Sequence, residues 1–307
     1  AGTLSLLFSE GSTQAFHIAE GRQNRTVNHS KMIAPPYKKI AVASTFSPRF
    51  EQVLAEAKRI RNSLGSELNL IFVGERDEGT ISRFAGALAE MGLPAESLIH
   101  YHQGSPADAI LEAVRENGVE LLVAGALEKE VVLRSFLGNV ARRLVREAPC
   151  SLILFTKPER EPKPLKRIVF FVPDFSDHAR RALRLSLQFA EKEGCEHLYV
   201  IRVYTTFDAA RATLRANLPD DTDQVAAPTL EEEEKALEDF IGARKTQIEV
   251  EGRCIRGNTG FAASDFVQSV KADLLVVPVE ATNESDGLPA HIAWVTDVIP
   301  CNLWIIR

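Results

Sequence analysis

One structural pattern occurs twice in this sequence. Its clearer copy, residues 104–155, consists in order of a helix, a buried strand, a loop between two glycines that opens another helix, and a buried terminal strand. A weaker copy extends from Gly257 to Ile306. Strands that alternate with amphipathic helices form a parallel sheet with helices on both faces. The repeat therefore predicts two doubly wound α/β domains in tandem.

The first predicted domain contains five strands that are rich in apolar residues: Lys39–Ser44, Leu68–Val73, Ser97–His102, Leu121–Ala124 and Ser151–Phe155. An amphipathic helix follows each of the first four strands. We expect Ser47 to cap the first of these helices, with Pro48 at the position where a missing N–H costs nothing. Thr80 is predicted to start the second helix. Ser105 and Asp108 are predicted to form a capping box at the third.

The same order of elements restarts after the proline-rich segment 156–164, which suits neither a helix nor a strand. The five strands predicted for the second domain are Arg167–Val172, His197–Tyr204, Gln247–Ile255, Leu274–Val279 and Asn302–Ile306. Helices are predicted from Ser176 to Gly194, after Thr229, and near 262–270. We divide the chain into an N-terminal extension (1–36), a first domain (37–157), a linker (158–163) and a second domain (164–307), each domain having a five-stranded parallel sheet.

The second domain carries an insertion. Val73 and Gly104 are 31 residues apart, whereas the matching Val203 and Gly257 are 54 apart, and most of the excess lies in residues 205–228. The segment that follows begins with Thr229 and Glu232, which have the spacing of a capping box. Its run of glutamates is then a solvated first turn at the positive end of a helix dipole, which we favour over a metal site.

Composition excludes several classes of function. A net charge of -6 argues against nucleic acid as a partner. No apolar run approaches the roughly 20 residues of a membrane-spanning helix. The four cysteines, Cys150, Cys195, Cys254 and Cys301, show no metal-binding spacing and are predicted to be small buried residues. A reducing cytoplasm is the expected compartment.

Ligands of open parallel sheets bind beyond the carboxyl ends of the strands, where the strand order reverses. The candidates in the first domain are Ser44, Thr45 and Phe46 after strand one, Val73 after strand two, and Gly125 after strand four. Gly125 begins a loop that ends at Gly138 and Asn139, where a helix opens. Free N–H groups and the helix dipole make such a loop an anion site, and phosphate is the anion that we expect.

With these residues the chain resembles the universal stress protein family in its tandem form, over residues 37–307 and most clearly over 100–155. ATP-binding members of that family carry an Asp at the end of strand one and a loop of pattern G-x-x-G-(nine residues)-G-[S/T]. Gly125 and Gly138 match this pattern. The sequence departs from it with Glu128 at the second glycine, Asn139 at the Ser/Thr position, and Thr45 in place of the Asp.

The second domain departs from the family pattern in its loop and matches it at strand one. Its residues Asp174, Phe175 and Ser176 match the strand-one ending of the family, but Pro278, Ala281 and Pro289–Ala290 stand where the glycines belong. Proline removes a backbone donor outright. The resemblance thus leaves two interpretations of the first loop open, an adenine-nucleotide site for ATP or AMP and a pair of turn glycines without a ligand. For the second loop we favour the interpretation without a ligand.

The histidines and tryptophans provide weaker signals. His100 and His102 alternate onto one face of strand three, but two nitrogens without a third ligand are a weak metal signal, so packing is the favoured role. Trp294 and Trp304 are predicted to lie in the core or at the domain interface. No nucleophile, base and acid converge, so we expect no enzymatic activity.

The resemblance implies a cytoplasmic regulatory protein of the stress response. In the first interpretation the protein is an adenine-nucleotide binding module, with the cofactor-binding residues Thr45, Val73, Gly125, Gly138 and Asn139. The alternative is a nucleotide-free scaffold that acts through protein contacts, including as the soluble region of a membrane transporter. We also expect self-association through the terminal strands 151–155 and 302–306, within one chain or in a homodimer, because an exposed apolar edge is an aggregation hazard.

Overall fold

The computed structural model describes residues 15–17, 35–44, 49–94, 99–126, 129–131, 134–216, 228–243, 246–280, 288–289, 292–296 and 299–307. Over these residues, both repeats contribute to one continuous sheet of 11 strands. All ten predicted strands are present in it, and an eleventh, β1 (Ala15–His17), comes from the segment that precedes the first domain. The predicted tandem α/β fold is thereby confirmed.

The strands of the first half are β2 (Lys39–Ser44), β3 (Glu67–Val73), β4 (Ile99–His102), β5 (Leu121–Gly125) and β8 (Ser151–Phe155). They lie in the order β4-β3-β2-β5-β8, and all of these pairs are parallel. The helices are α1 (Phe50–Leu64), α2 (Glu78–Glu90), α3 (Pro106–Glu116) and α4 (Asn139–Glu147). A separate antiparallel hairpin, β6 (Lys129–Val131) with β7 (Arg134–Phe136), lies between β5 and α4.

The second half repeats this order with β9 (Arg167–Phe171), β10 (His197–Tyr204), β11 (Glu249–Arg256), β12 (Leu274–Pro278) and β13 (Asn302–Ile306). The strand order is β11-β10-β9-β12-β13, again parallel throughout. Its helices are α5 (Asp177–Glu193), α6 (Thr206–Ala216), α7 (Leu230–Ile241) and α8 (Thr259–Ser269), followed by a short 3-10 helix at Ala293–Thr296. Helix α6 lies in the predicted insertion, and the described residues 74–77 between β3 and α2 contain no counterpart of it.

Several predicted helix ends are confirmed and several are wrong. Ser176 and Gly194 bound α5 as expected, and Thr229 and Glu232 form the predicted capping box on α7. Helix α1, however, begins after Arg49, which makes no side-chain cap, and the expected cap Ser47 with Pro48 lies outside the described residues.

Two further corrections concern α2 and α3. Helix α2 is capped by Asp77, whose carboxylate accepts a hydrogen bond from the Thr80 amide at 2.7 Å, so Thr80 lies inside the helix. Ser105 precedes α3 as expected, but its hydroxyl makes no cap hydrogen bond to the backbone. It forms a hydrogen bond with the Asp108 side chain instead.

The two halves join through their terminal strands. β8 and β13 pair antiparallel, with Leu154 opposite Leu303 and Leu152 opposite Ile305. This pairing within one chain confirms the expected association of the terminal strands. The Asn302 side chain accepts a hydrogen bond from the Thr156 amide at 3.0 Å at one end of the joint. Both terminal edges are therefore buried inside the sheet.

Apolar side chains fill both faces of the sheet, and each layer runs through both halves. One layer packs under α1, α2, α5 and α7, and the other under α3, α4 and α8. Trp304 is fully buried in the first layer, where its ring lies 5.0 Å from that of Phe189 and 6.4 Å from that of Tyr37. The predicted core or interface role of Trp304 is confirmed, since Tyr37 belongs to the other half.

The four cysteines are buried and unbridged, as predicted. Burial raises the pKa of Cys150 and of Cys195 to about 11, so both are thiols at neutral pH. None of the helices in the described part of the chain combines the length and the hydropathy that crossing a membrane requires.

Candidate functional site

The strand order reverses between β2 and β5 in the first half. β3 and β4 lie on one side of β2, and β5 and β8 lie on the other, so the carboxyl ends of the central strands meet at one edge. Val73 ends β3 and Gly125 ends β5 at this edge, and Gly138 opens α4 after the loop. The edge thus brings together the ends of the elements that the sequence predicts for a ligand site.

Gly125 has a structural reason to lack a side chain. A Cβ atom at this position would lie 2.9 Å from Cγ2 of Val53 in α1, a distance that real Cβ atoms do not adopt. The next amide, Ala126 N–H, donates to the Phe155 carbonyl at 2.9 Å and so extends the sheet. The first part of the loop therefore serves helix and strand packing, and the Ala126 amide is already bonded.

Gly138 lies at the start of α4 in an extended conformation (φ -63°, ψ 159°) that any residue can adopt. It provides no side chain to cap the helix, and the first turn carries no acidic residue. Asn139, the first helical residue, is exposed. The leading amides of a helix have no partner inside it, so this helix start presents N–H groups and the positive end of the dipole.

Arg142 is a further candidate for the site, which the sequence analysis missed. Its amide donates to the Gly138 carbonyl at 3.0 Å, which places it one turn along α4, and helical side chains lean back toward the N-terminus. Arg142 Nε is buried and has no hydrogen-bond partner among the described residues. The spacing of four residues from Gly138 is the signal that could have identified it.

Thr45 and Glu128, which the sequence also associates with this site, lie outside the described residues. The backbone of the loop is described in part, and the hairpin of β6 and β7 occupies most of its length. This hairpin is an element that the glycine pattern does not predict.

In the second half, the residues that match the family's strand-one ending form hydrogen bonds with nearby backbone amides. The Asp174 carboxylate accepts a hydrogen bond from the Ser176 amide at 2.9 Å. The Ser176 hydroxyl in turn caps α5 by accepting from the Ala179 amide at 3.2 Å. These polar groups therefore stabilise a turn and a helix start.

In the part of the segment after β12 that the structure describes, residues 279–280, 288–289, 292–296 and 299–301, a short 3-10 helix is the one helical element, whereas the counterpart segment of the first half opens α4. Pro278 ends β12, and the Pro289 carbonyl accepts from the amides of Ile292 and Ala293 as a turn leads into the four-residue 3-10 helix. Trp294 in this helix packs against Phe171, with ring centroids 5.6 Å apart. Trp294 therefore packs on β9, the first strand of its own half. Ala281 and Ala290 lie outside the described residues.

The histidine pair of β4 has a packing environment. Burial lowers the pKa of His100, with smaller contributions from His102 and Lys39, and His100 Nε2 is buried without a hydrogen-bond partner in the described structure. His102 lies 4.0 Å from Glu116. No group of three or more His, Cys, Asp or Glu side chains in the described ranges has an arrangement that could hold a metal ion.

The geometry of sheet and helices defines the class: a tandem pair of doubly wound α/β domains with a switch point in each half. Residues 36–156 match the model of the universal stress protein family. The universal stress protein MJ0531 of Methanocaldococcus jannaschii is 28% identical over 145 residues, which span 41% of this chain and 85% of that protein. Residues 36–156 therefore form a universal stress protein domain, and the second half of the chain repeats the same fold.

Solved structures match both halves together. A universal stress protein from Archaeoglobus fulgidus superposes with a TM-score of 0.60 and 17% identity, over 88% of this chain and 98% of that one. A functionally unknown protein from Pseudomonas aeruginosa PAO1 gives a TM-score of 0.64 and 15% identity, over 88% and 92% of the two chains. At these identities the likeness shows the fold, which extends over nearly the whole molecule.

Proposed function

We propose that this protein is a regulatory binding module that takes an adenine nucleotide, ATP or AMP, at the carboxyl edge of the first half. The observation that carries the proposal is the start of α4, where a helix end without a side-chain cap is followed by Arg142, whose Nε is buried and has no hydrogen-bond partner among the described residues. Val73, Gly125, Gly138 and Asn139 lie on the elements around this edge, and Thr45 would follow β2. A purine and a phosphate chain fit this combination of apolar strand ends and anion donors.

The electrostatics favour phosphate at this helix. The dipole contributes roughly 0.3–1 kcal/mol to a bound anion, and each charge-assisted hydrogen bond about 1.5–3 kcal/mol. Two such bonds with the dipole correspond to micromolar to millimolar affinity. Some solved family members carry such ligands: one is described in complex with cAMP, and one from Arabidopsis thaliana with AMP bound.

The second candidate is a nucleotide-free scaffold that acts through protein contacts. Two observations favour it. Packing against Val53 explains why residue 125 is a glycine, and the Ala126 amide already donates a hydrogen bond to the Phe155 carbonyl. A membrane transporter as the partner remains part of this alternative.

Asn139→Asp in the full chain tests the nucleotide proposal. The substitution places a carboxylate at the first residue of α4, where it repels a phosphate group. The carboxylate interacts favourably with the positive end of the helix dipole, so we expect the fold to be retained. We expect the affinity for ATP, measured by isothermal titration calorimetry, to fall at least about tenfold, which is roughly 1.4 kcal/mol. Arg142→Gln should weaken ATP more than adenosine, because its guanidinium acts on phosphate.

Asn258→Asp is the matched control, since it makes the same change at the start of α8 in the second half. This variant should bind ATP as the unchanged chain does. If Asn139→Asp and the unchanged chain bind ATP with equal affinity, the nucleotide does not bind at the start of α4. An unchanged chain that binds neither ATP, AMP nor cAMP would favour the scaffold.

A further inference from the structure

Helix α6 exposes most of its surface. Among residues 206–213, whose side chains the structure describes, Ala212 is the one that is buried. The Phe207 side chain is 67% exposed, the highest value among the large apolar side chains in the described part of the chain. A helix of 11 residues is marginal in water by itself, and most protein helices are stabilised by the packing of an apolar face. α6 therefore presents an aromatic residue that the described structure leaves uncovered.

The outer face of α6, formed by Phe207, Ala210 and Arg211, combines an aromatic ring with a cation. These residues share one side of the helix by its period, and that side points away from the buried Ala212. The Arg211 guanidinium lies 5.6 Å from the centroid of the Phe207 ring, so a cation–π contact holds the two side chains together. Aromatic residues and arginine are enriched at protein interfaces. The outer face thus has the composition of a protein-binding surface.

The charges of α6 complement those of a second α6. Asp208 lies in the first turn, where its carboxylate accepts a hydrogen bond from the Thr205 amide at 2.9 Å, and Arg211 follows one turn later. When two copies of this helix pack antiparallel, Asp208 of each copy comes next to Arg211 of the other, and the opposite ends of the two helix dipoles lie side by side. We propose that the outer face of α6 is a homodimer contact, occupied by α6 of a second copy of this chain in antiparallel orientation.

This contact closes with two copies. The described residues 74–77 contain no counterpart of α6, so the described structure offers the outer face once per chain. A twofold contact through the same face of both copies leaves no such face for a third, so it gives a dimer and not a filament. A single pair of short helices buries less than the roughly 1,200 Å² of a stable complex, and we therefore expect micromolar or weaker affinity. The contact lies in the second half and does not involve the proposed nucleotide site.

Removal of the exposed ring tests the contact in the full chain. Phe207→Ser should raise the dissociation constant of the dimer, measured by sedimentation equilibrium, at least about tenfold, because the contact loses its aromatic residue. Phe261→Ser is the matched control, since it removes a ring of similar exposure, 64%, from α8. A chain that remains monomeric up to about 1 mM would overturn the proposal. So would a dimer that Phe207→Ser weakens no more than Phe261→Ser does.

Arg211→Asp tests the orientation of the two helices. In an antiparallel pair the new carboxylate comes next to Asp208 of the other copy, so the dissociation constant should rise at least about tenfold. In a parallel pair residue 211 would lie next to residue 211 of the other copy, and the substitution would replace one like-charge contact by another. Arg184→Asp, which makes the same change at an exposed position of α5, is the control. A dissociation constant that Arg211→Asp leaves unchanged overturns the antiparallel contact.

Two neighbouring alanines test which face of α6 makes the contact. Ala210→Cys places a thiol on the outer face, whereas Ala209→Cys places one about 100° around the helix, and both alanines are exposed. The four native cysteines are buried and contribute little background. We expect mild oxidation to give disulfide-linked dimers at least about tenfold faster with Ala210→Cys, as read on non-reducing gels. Equal rates would show that the outer face is not the contact and would overturn the proposal.

Discussion

Arg59 in α1 binds Glu193 in α5, and this ion pair joins a helix of the first half to a helix of the second. The same guanidinium holds Glu56 at 2.9 Å. Glu193 also accepts a hydrogen bond from the Ser63 hydroxyl. Only 3% of the Glu193 side chain and 15% of the Arg59 side chain are exposed, so water screens the pair weakly. The halves are therefore connected by a shielded charge cluster as well as by paired strands.

A double-mutant cycle with Arg59→Met and Glu193→Gln should reveal this connection. We expect a coupling free energy of about 1–3 kcal/mol in denaturant unfolding, because each single change leaves a shielded charge without its partner. The exposed pair Arg143 and Glu147 on α4 is the control, and its coupling should be at the limit of measurement. Additive effects of the two substitutions would mean that the interface does not depend on this pair.

Glu56 should make stability depend on pH. Burial raises the pKa of this carboxyl, and Arg59 opposes the shift. A carboxyl with a raised pKa stabilises the folded state below its unfolded-state pKa and loses that contribution as pH rises through the folded value.

The free energy of unfolding of the unchanged chain, relative to that of Glu56→Gln, should therefore increase as the pH is lowered from about 7 toward the usual carboxyl range near 4. Urea titrations at several pH values measure this difference. Glu67→Gln, in the same half but exposed, is the control. The opposite slope would show that Arg59 outweighs the burial of Glu56.

Leu154→Lys should destabilise both halves together. Leu154 is fully buried in the β8–β13 pair, opposite Leu303, and a lysine there places an unpaired charge inside the joint. We expect a loss of about 3–5 kcal/mol and a single calorimetric transition at lower temperature. Ile81→Lys, at a surface position 41% exposed, should change little. Two separate transitions, with only the first half affected, would contradict a shared core.

Gly125→Ala tests whether packing against Val53 requires a glycine at residue 125. The new methyl group meets Val53, so the substitution should destabilise the fold by about 1–3 kcal/mol. In a Val53→Ala background the same substitution should cost much less, because the two positions share one space. Thermal unfolding of both variants measures the effect. A loss that Val53→Ala does not relieve would mean that the backbone, and not the contact, requires the glycine.

The sequence predicts elements whose ends are decided locally. Ser176 and Gly194 bound α5 because a hydroxyl satisfies the first amides and a left-handed glycine ends the helix. Helix α1 has no such cap at Arg49, so the neighbouring serine and proline suggested an earlier start. The hairpin of β6 and β7 has three residues in each strand, which is too short for a period-two pattern to be recognised.

The sequence indicates where the candidate site lies but not which packing contacts shape it. Strand order and the glycine spacing place Gly125 and Gly138 at one edge. The contact of Gly125 with Val53, however, depends on how α1 packs across the sheet, which no local pattern records. Arg142 likewise gains its importance from burial beside the start of α4, and a sequence presents it as one more arginine on a helix.

The antiparallel joint of β8 and β13 also has a consequence for synthesis. β8 ends at Phe155, and its partner strand begins 147 residues later, at Asn302, close to the last residue of this sequence. At translation rates of about 5–20 residues per second, the nascent first half waits roughly 7–30 s for β13. Throughout that interval its apolar edge is open to other nascent chains, so a chaperone that holds β8 would have its greatest effect on the yield of folded protein before the ribosome reaches residue 302.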